Sequence, residues 1–312
     1  MPSNVLPLPT LRPGALIAVV APAGPAPAEA VARVPAVIES MGYRARLYPG
    51  CHERLPFLAG PDARRRQDLM DAFADPEIDA VFCLRGGYGS GRLLDQIDWQ
   101  AVLSRPKPFI GYSDITALQA QFTNAGLVTF HGPMLTSDLV RSTLSPEAHG
   151  YGILRDGLVA GTVWQPALEP SLLTVPGRAS GKLVGGNLNL IVSLLGTPYA
   201  LDLRDSLLFL EEVGEAPYRV DRFLQQLRLS GALALPRGFV LGRFSDAESP
   251  ADVLADYLTP LGKPVLGGWP AGHGPGATVL PLGADMTIDA HAGTLTFLQT
   301  VLAPAPAAAQ AS

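Results

Sequence analysis

The stretch Pro108-Phe109-Ile110-Gly111-Tyr112-Ser113-Asp114-Ile115-Thr116-Ala117-Leu118 constrains the fold more than any other part of the chain. Its first half is a short apolar run with an aromatic residue and reads as a buried strand. Its second half sets Ile115, Leu118 and Phe122 at helical spacing. Ser113 therefore sits where a strand turns sharply into a helix, with its hydroxyl at the strand's C-terminal edge. Backbone N–H groups of the next residues point at whatever that hydroxyl attacks, and the helix dipole favours negative charge there. This is the logic of a nucleophile elbow, although the G-x-S-x-G pattern is absent. A plain helix N-cap is an equally physical role for the same serine.

Strand and helix alternate through the first half. Ala15 to Val20 reads as a strand, followed by a helix to about Glu39 that Pro35 would kink or begin. Tyr43 to Tyr48 reads as a strand, Ala63 to Phe73 as a helix, Asp79 to Leu84 as an apolar strand, then a helix near Leu93 and a strand at Leu127 to Phe130. That order predicts an α/β fold with a mostly parallel sheet and helices on both faces. The loop Ala21 to Pro27 holds prolines where a dinucleotide-binding fold would want G-x-G-x-x-G. Residues 142–177, with scattered Pro and Gly, read as a crossover. The second half begins near Gly181, with a helix to Leu195, a strand from Asp205 to Leu210 ending in Glu211-Glu212, and a helix with Phe223, Leu224 and Leu227 on one face. Strands are expected at Gly238 to Leu241 and Pro264 to Leu266, with a helix near Leu254 to Leu258 between them. This gives domains at 1–141 and 178–302, and the Ala/Pro-rich tail 303–312 is expected to be disordered.

A chain of 312 residues with 47% hydrophobic and 16% charged residues can bury two cores of this kind. A net charge of -5 argues against a nucleic-acid partner. The triplet Arg64-Arg65-Arg66 reads as the wet face of a helix. No apolar run approaches a membrane span, and Ala15 to Val20 suits a core strand better than a signal peptide, which predicts a cytoplasmic protein. Cys51 and Cys83 are too few for a disulfide framework or metal cluster, and Cys83 reads as a buried small hydrophobe.

Candidate chemistry gathers at strand ends. Arg85-Gly86-Gly87-Tyr88-Gly89-Ser90-Gly91-Arg92 follows a strand, and so much glycine lets backbone N–H groups approach an anion. A phosphate site, an oxyanion hole and a tight turn all fit it. Of the five histidines, His52, His149 and His291 lie in turn-like contexts and read as surface residues. His131 is either structural or lines a pocket. His273, between glycines, is the best candidate base. Glu211 could accept the His N–H and fix its tautomer. Side chains alternate along a strand, so Glu211 and Glu212 cannot share one cleft. There is no H-E-x-x-H and no metal-type cluster.

With these motifs in view, the chain resembles the LD-carboxypeptidase family of serine peptidases, which includes the microcin C immunity proteins. The resemblance runs from about Leu11 to Leu302. It rests on Arg85-Gly86-Gly87-Tyr88-Gly89, Gly111 to Leu118, His131-Gly132-Pro133-Met134, Gly185-Gly186-Asn187-Leu188, Leu210-Glu211-Glu212, Tyr218-Arg219-Val220-Asp221-Arg222 and Gly272-His273-Gly274. It implies an N-terminal Rossmann-like domain and a C-terminal swivelling α/β, barrel-like domain. Ser113 would be the nucleophile, His273 the base and Glu211 its orienting acid. The N–H groups of Asp114 and the Gly86-Gly87 turn would form the oxyanion hole. Family members are typically cytoplasmic homodimers without a cofactor. They release the terminal D-alanine of muropeptide tetrapeptides. Such a substrate carries a free carboxylate, for which Arg85, Lys182 and Arg219 are candidate partners. Two alternatives to this function are weighed: an amidase acting on a peptidyl-nucleotide antibiotic, with Trp164 or Trp269 as a platform for the base, and a non-catalytic ligand-binding protein.

Overall fold

A computed structural model describes residues 7–304. In chain order its strands and helices begin with β1 (Leu8–Pro9), β2 (Leu16–Val20), α1 (Ala28–Ser40), β3 (Arg44–Leu47), α2 (Asp62–Ala74), β4 (Ala80–Cys83), α3 (Trp99–Leu103), β5 (Phe109–Gly111), α4 (Thr116–Asn124) and β6 (Thr129–His131). The segment expected as a crossover carries α5 (Ile153–Asp156) and β7 (Val163–Trp164). There follow β8 (Arg178–Asn187), α6 (Leu188–Ser193), β9 (Leu207–Val213), α7 (Pro217–Leu229), β10 (Gly238–Ser245), α8 (Ala251–Leu258), β11 (Val265–Leu266), β12 (Leu280–Leu282), β13 (Asp285–Asp289), β14 (Thr294–Phe297) and β15 (Leu302–Ala303).

The first sheet has six strands in the order β12-β6-β5-β4-β2-β3. All its pairs are parallel except β12 with β6. Because β3 and β4 flank β2 on opposite sides, the strand order reverses between β2 and β4. Open α/β sheets bind ligands at the carboxyl ends of strands beside such a reversal. The second sheet has seven strands in the order β11-β10-β9-β8-β13-β14-β7. Its β11, β10, β9 and β8 run parallel, and the pairs from β8 to β13, β14 and β7 are antiparallel.

Both faces of the central strands are buried, which explains their unbroken apolar runs. Ile17 and Val19 of β2 enter one core, and Ala18 and Val20 enter the other. Each core continues into the second half, through Phe209 and Val240 on one side and Leu208 and Leu241 on the other. The two halves therefore share packing. Strand β12 comes from the second half but closes an edge of the first sheet.

Several expectations need correction. The helix near Leu93 is a 3₁₀ turn, Ser90–Leu93. Pro35 neither starts nor ends α1; it lies inside it. The expected disordered tail begins too early, because Leu302–Ala303 pairs with Leu8–Pro9; residues 305–312 lie outside the described residues. Arg65 is 1% exposed rather than on a wet face. Its guanidinium donates to the carbonyls of Pro22 and Gly89 and pairs with Asp62. His149 is likewise buried, with Nδ1 2.7 Å from the Ala277 carbonyl and Nε2 3.0 Å from Ser142 Oγ. Cys51 and Cys83 are both buried free thiols. Burial pushes the Cys51 thiol up to about 12. Among the described residues, no helix is long and apolar enough to cross a membrane.

Candidate active site

Ser113 follows β5 and opens a single 3₁₀ turn, Ser113–Ile115, that runs into α4. Tyr112 and Ile115 hold the capping positions of these two elements, so the N-cap role does not fall to Ser113. Its φ is +62°. That left-handed backbone costs a non-glycine residue about 1–3 kcal/mol and recurs where a nucleophile is aimed out of a strand-to-helix turn. Among the described non-glycine residues only Asp205 and Asp246 share positive φ, and short Asp side chains tolerate it.

The glycine loop after β4 lies directly on this elbow. A Cβ added to Gly86 would stand 2.8 Å from Ser113 Cβ and 3.1 Å from Ser113 Oγ. Only glycine lets the two backbones come so close. The Gly86 carbonyl accepts the Gly24 N–H at 3.0 Å. A trans peptide carries its N–H opposite its C=O, so the Gly87 N–H is turned away from Gly24. Asp114 fastens the loop: its carboxylate accepts the Ser90 N–H at 2.7 Å and its carbonyl accepts the Ser90 hydroxyl at 2.5 Å. Burial raises the Asp114 pKa, and the bonds from Ser90 oppose that rise.

The acid and the histidine come from the second sheet. Glu211 is fully buried on β9, and its Oε2 lies 2.7 Å from His273 Nδ1 and accepts the His273 backbone N–H at 3.2 Å. A carboxylate only accepts, so Nδ1 carries the hydrogen and Nε2 is left as the free base. Burial alone would raise the Glu211 carboxyl, but the charge of His273, the nearby His131 and the hydrogen bond to His273 together outweigh that and hold it below the usual carboxylate range. Burial alone would lower His273, and the Glu211 charge and hydrogen bond outweigh that in turn and raise it. His131 is fully buried, with Nε2 3.9 Å from Glu211 Oε1, beyond hydrogen-bond length.

Glu212 points the other way, as strand alternation requires. It accepts from Asn187 Nδ2 at 2.7 Å, from the Asn189 N–H at 2.9 Å and from the Val213 N–H at 2.9 Å. These bonds tie β9 to the start of α6. Gly186, at φ +135°, admits α4 at the same point: a Cβ there would lie 2.5 Å from Thr116 Oγ1, which accepts the Asn187 N–H at 3.1 Å. The elbow helix is thereby docked on the second sheet.

Tyr112 links the two sets. Its ring lies 4.6 Å from that of His273 and 5.5 Å from that of His131, and its hydroxyl donates to Asp138 at 2.9 Å. Ser113 and His273 make no direct hydrogen bond. Nucleophile–base bonds are often long before substrate binds.

The candidate carboxylate partners separate. Arg219 is engaged by Glu215 at 2.5 Å. Lys182 lies five residues before the Asn187 end of β8, roughly 16 Å along an extended strand. Arg85 adjoins Gly86, donates to the Pro25 carbonyl at 2.9 Å, and has a buried Nε with no partner. Trp269 is 2% exposed, so it offers no free face, and Trp164, half-buried on β7, packs edge-on against Phe297. A cleft of about 870 Å³ is bordered by Gly87, Tyr88, Asp114, Asn189 and Tyr199, beside the glycine loop. Sequence reasoning missed Tyr112 and Asp138. The tyrosine stood inside the elbow motif itself, whereas Asp138 sits in a π-helical turn, Leu135–Leu139, which has no spacing signal.

Residues 17–132 match the model of the LD-carboxypeptidase N-terminal domain, and residues 180–288 match that of the LD-carboxypeptidase C-terminal domain. The chain is 37% identical to a probable murein peptide carboxypeptidase of Bacillus subtilis, over 89% of this chain and 90% of that protein. It is 31% identical to the murein tetrapeptide carboxypeptidase of Pseudomonas aeruginosa, over 88% and 93%. The crystal structure of a muramoyltetrapeptide carboxypeptidase from Oxalobacter formigenes superposes with a TM-score of 0.79 at 31% identity, covering 93% of this chain and all of that one.

Proposed function

This chain belongs to the LD-carboxypeptidase family of serine carboxypeptidases, and on that premise we propose that it releases the terminal D-alanine from cytoplasmic muropeptide tetrapeptides as a homodimer. The observation that carries the reading is the buried Glu211–His273 bond, 2.7 Å long, beside the left-handed Ser113 elbow. It leaves Nε2 of His273 as the base in a loop that packs on the residue next to the nucleophile.

His273 Nε2 takes the Ser113 proton as Ser113 Oγ attacks the carbonyl before the terminal D-residue. The oxyanion develops toward the N–H groups of Asp114 and the Gly86-Gly87 turn, where one lost donor typically costs about 10²–10³ in rate. The imidazolium, stabilised by Glu211, hands its proton to the departing D-alanine amine. Water activated by His273 then hydrolyses the acyl-enzyme and restores Ser113.

The test is mass spectrometry of L-Ala-γ-D-Glu-diaminopimelate-D-Ala incubated with wild type and with Ser113→Ala. D-alanine should be released by wild type only. Release by both variants sinks the assignment of Ser113. Release by neither, with both folded, sinks the tetrapeptide reading and makes a peptidyl-adenylate the next substrate to try.

A further inference from the structure

We propose a second, anion-binding subsite beside the elbow, built from Arg33, Arg85 and Arg141, that takes a carboxylate of the substrate remote from the scissile bond. It rests on the muropeptide reading for the identity of its ligand and on geometry alone for its existence.

A cavity of about 480 Å³ opens between the first turn of α1 and the π-helical turn Leu135–Leu139. Its walls include Glu29, Arg33, Arg85, Thr136, Ser137 and Arg141. Three arginines thus line the cavity against a single acidic residue. Among the described residues neither Arg33 nor Arg141 has an ion pair, and the nearest helical partner of Arg33, Glu29, is not within bridging distance. Arg85 spends one nitrogen on the Pro25 carbonyl, while its buried Nε has no partner at all. A buried unpaired guanidinium nitrogen costs free energy, and a carboxylate is the acceptor whose shape and charge fit it.

The place in the fold argues the same way. The cavity lies at the carboxyl ends of β2 and β4, where the strand order reverses, and at the N-terminus of the thirteen-residue helix α1. Folds of this type receive anions there on glycine-rich amides. This chain has prolines in that loop, and arginines line the cavity beside it. The subsite also adjoins the reaction centre. Arg85 precedes Gly86, which touches Ser113, and the Ser137 hydroxyl donates to Asp138, which holds Tyr112. A tetrapeptide with its terminal D-residue at the elbow still carries carboxylates on its acyl side, on the D-glutamyl and diaminopimelyl residues. One of these fills the cavity.

The test uses Arg33→Gln/Arg141→Gln, both exposed positions whose replacement leaves the cores intact. Citrate, a small tricarboxylate, is titrated calorimetrically into wild type and the variant at low salt. Wild type should bind and the variant should bind at least about tenfold more weakly, the size of one charge-assisted hydrogen bond. No binding by wild type overturns the subsite whatever the reaction proves to be. D-alanine release is then compared for the tetrapeptide and for its D-glutamyl α-amide and diaminopimelyl amide. Wild type should prefer the free acid over one of the amides, and the variant should lose that preference. An equal loss on acid and amides overturns the role in substrate binding. No turnover of any of them by wild type refutes the muropeptide reading and leaves the citrate titration to decide the subsite.

Discussion

The elbow at Ser113 and the buried edge at Glu211 and His273 reach one site by opposite routes. The elbow is local. A strand, a left-handed serine and a helix follow one another within a few residues, and the strain sits in the backbone itself. The Glu211–His273 pair is assembled across 62 positions of sequence, and its energy sits in a buried charge that needs its partner. A local device tolerates distant change but not an added atom. A long-range device tolerates neighbours but not the loss of either partner.

Adjacent glutamates give the sharpest way to break this comparison. Glu211→Gln should lower kcat/KM by about 10⁴, the effect of putting the base in the wrong tautomer. Glu212→Gln should cost stability, about 1–3 kcal/mol for a buried acceptor left with poorer partners, and change kcat/KM by little. Steady-state kinetics and urea denaturation on both variants check this, and equal kinetic losses would mean that Glu211 has no special tie to the base. The pH profile sharpens it further. On the proposed mechanism activity needs His273 neutral, and Glu211 raises its pKa. The acid limb of kcat/KM in wild type should therefore lie above the ordinary imidazole value of about 6.5. In Glu211→Gln the raising charge is gone and burial still lowers His273, so the residual activity should persist to lower pH.

On the elbow side the corresponding break is steric. Gly86→Ala places a methyl 2.8 Å from Ser113 Cβ and 3.1 Å from its hydroxyl. Backbone on both sides must give way, and on the proposed mechanism an oxyanion donor displaced by a fraction of an ångström is a donor lost. The expected cost is about 10²–10³ in kcat, together with about 1–3 kcal/mol of stability for the overpacking. Wild-type kcat in this variant would show that the Gly86 turn does not touch the reaction.

The same division explains what could be read from the sequence. The first half was legible because its strands are continuous apolar runs between helices, and the elbow was legible because its signal is contiguous. Glu211 and His273 were legible as residue types at strand ends, while their contact was not. Strand β8 was missed because Gly181, Gly185 and Gly186 give it little strand propensity; it forms because Gly181 and Gly185 let neighbouring backbones approach, while Gly186 admits the Thr116 side chain. Strand β12 pairs with β6 across nearly the length of a domain, and no local pattern announces that. Arg65 and His149 misled for one reason. Polar residue type suggests solvent, but both are buried with carbonyls as partners.

The smallest effect is expected where the two devices meet. Tyr112 belongs to the elbow by sequence and to the His273 edge by packing, with ring centroids 4.6 Å apart. Its hydroxyl is a secondary part of that role. Burial first, and then the charge of Asp138, raises the phenol's pKa, so it remains a neutral donor at working pH. Tyr112→Phe keeps the ring and removes the donor. Asp138 loses the bond to Oδ1 but retains those that Oδ2 accepts from the Met134 N–H and the Ser137 hydroxyl. The expected loss is about 1 kcal/mol of stability and only a few-fold in kcat, of the order such a shift implies. Tyr112→Ala removes the wall against His273 and should cost far more in kcat at a similar KM, because an unsupported imidazole populates the productive geometry less often. If Phe and Ala were equally damaging, the hydroxyl would be the working part of Tyr112, and the link between elbow and edge would be a hydrogen bond to Asp138 rather than a packed ring.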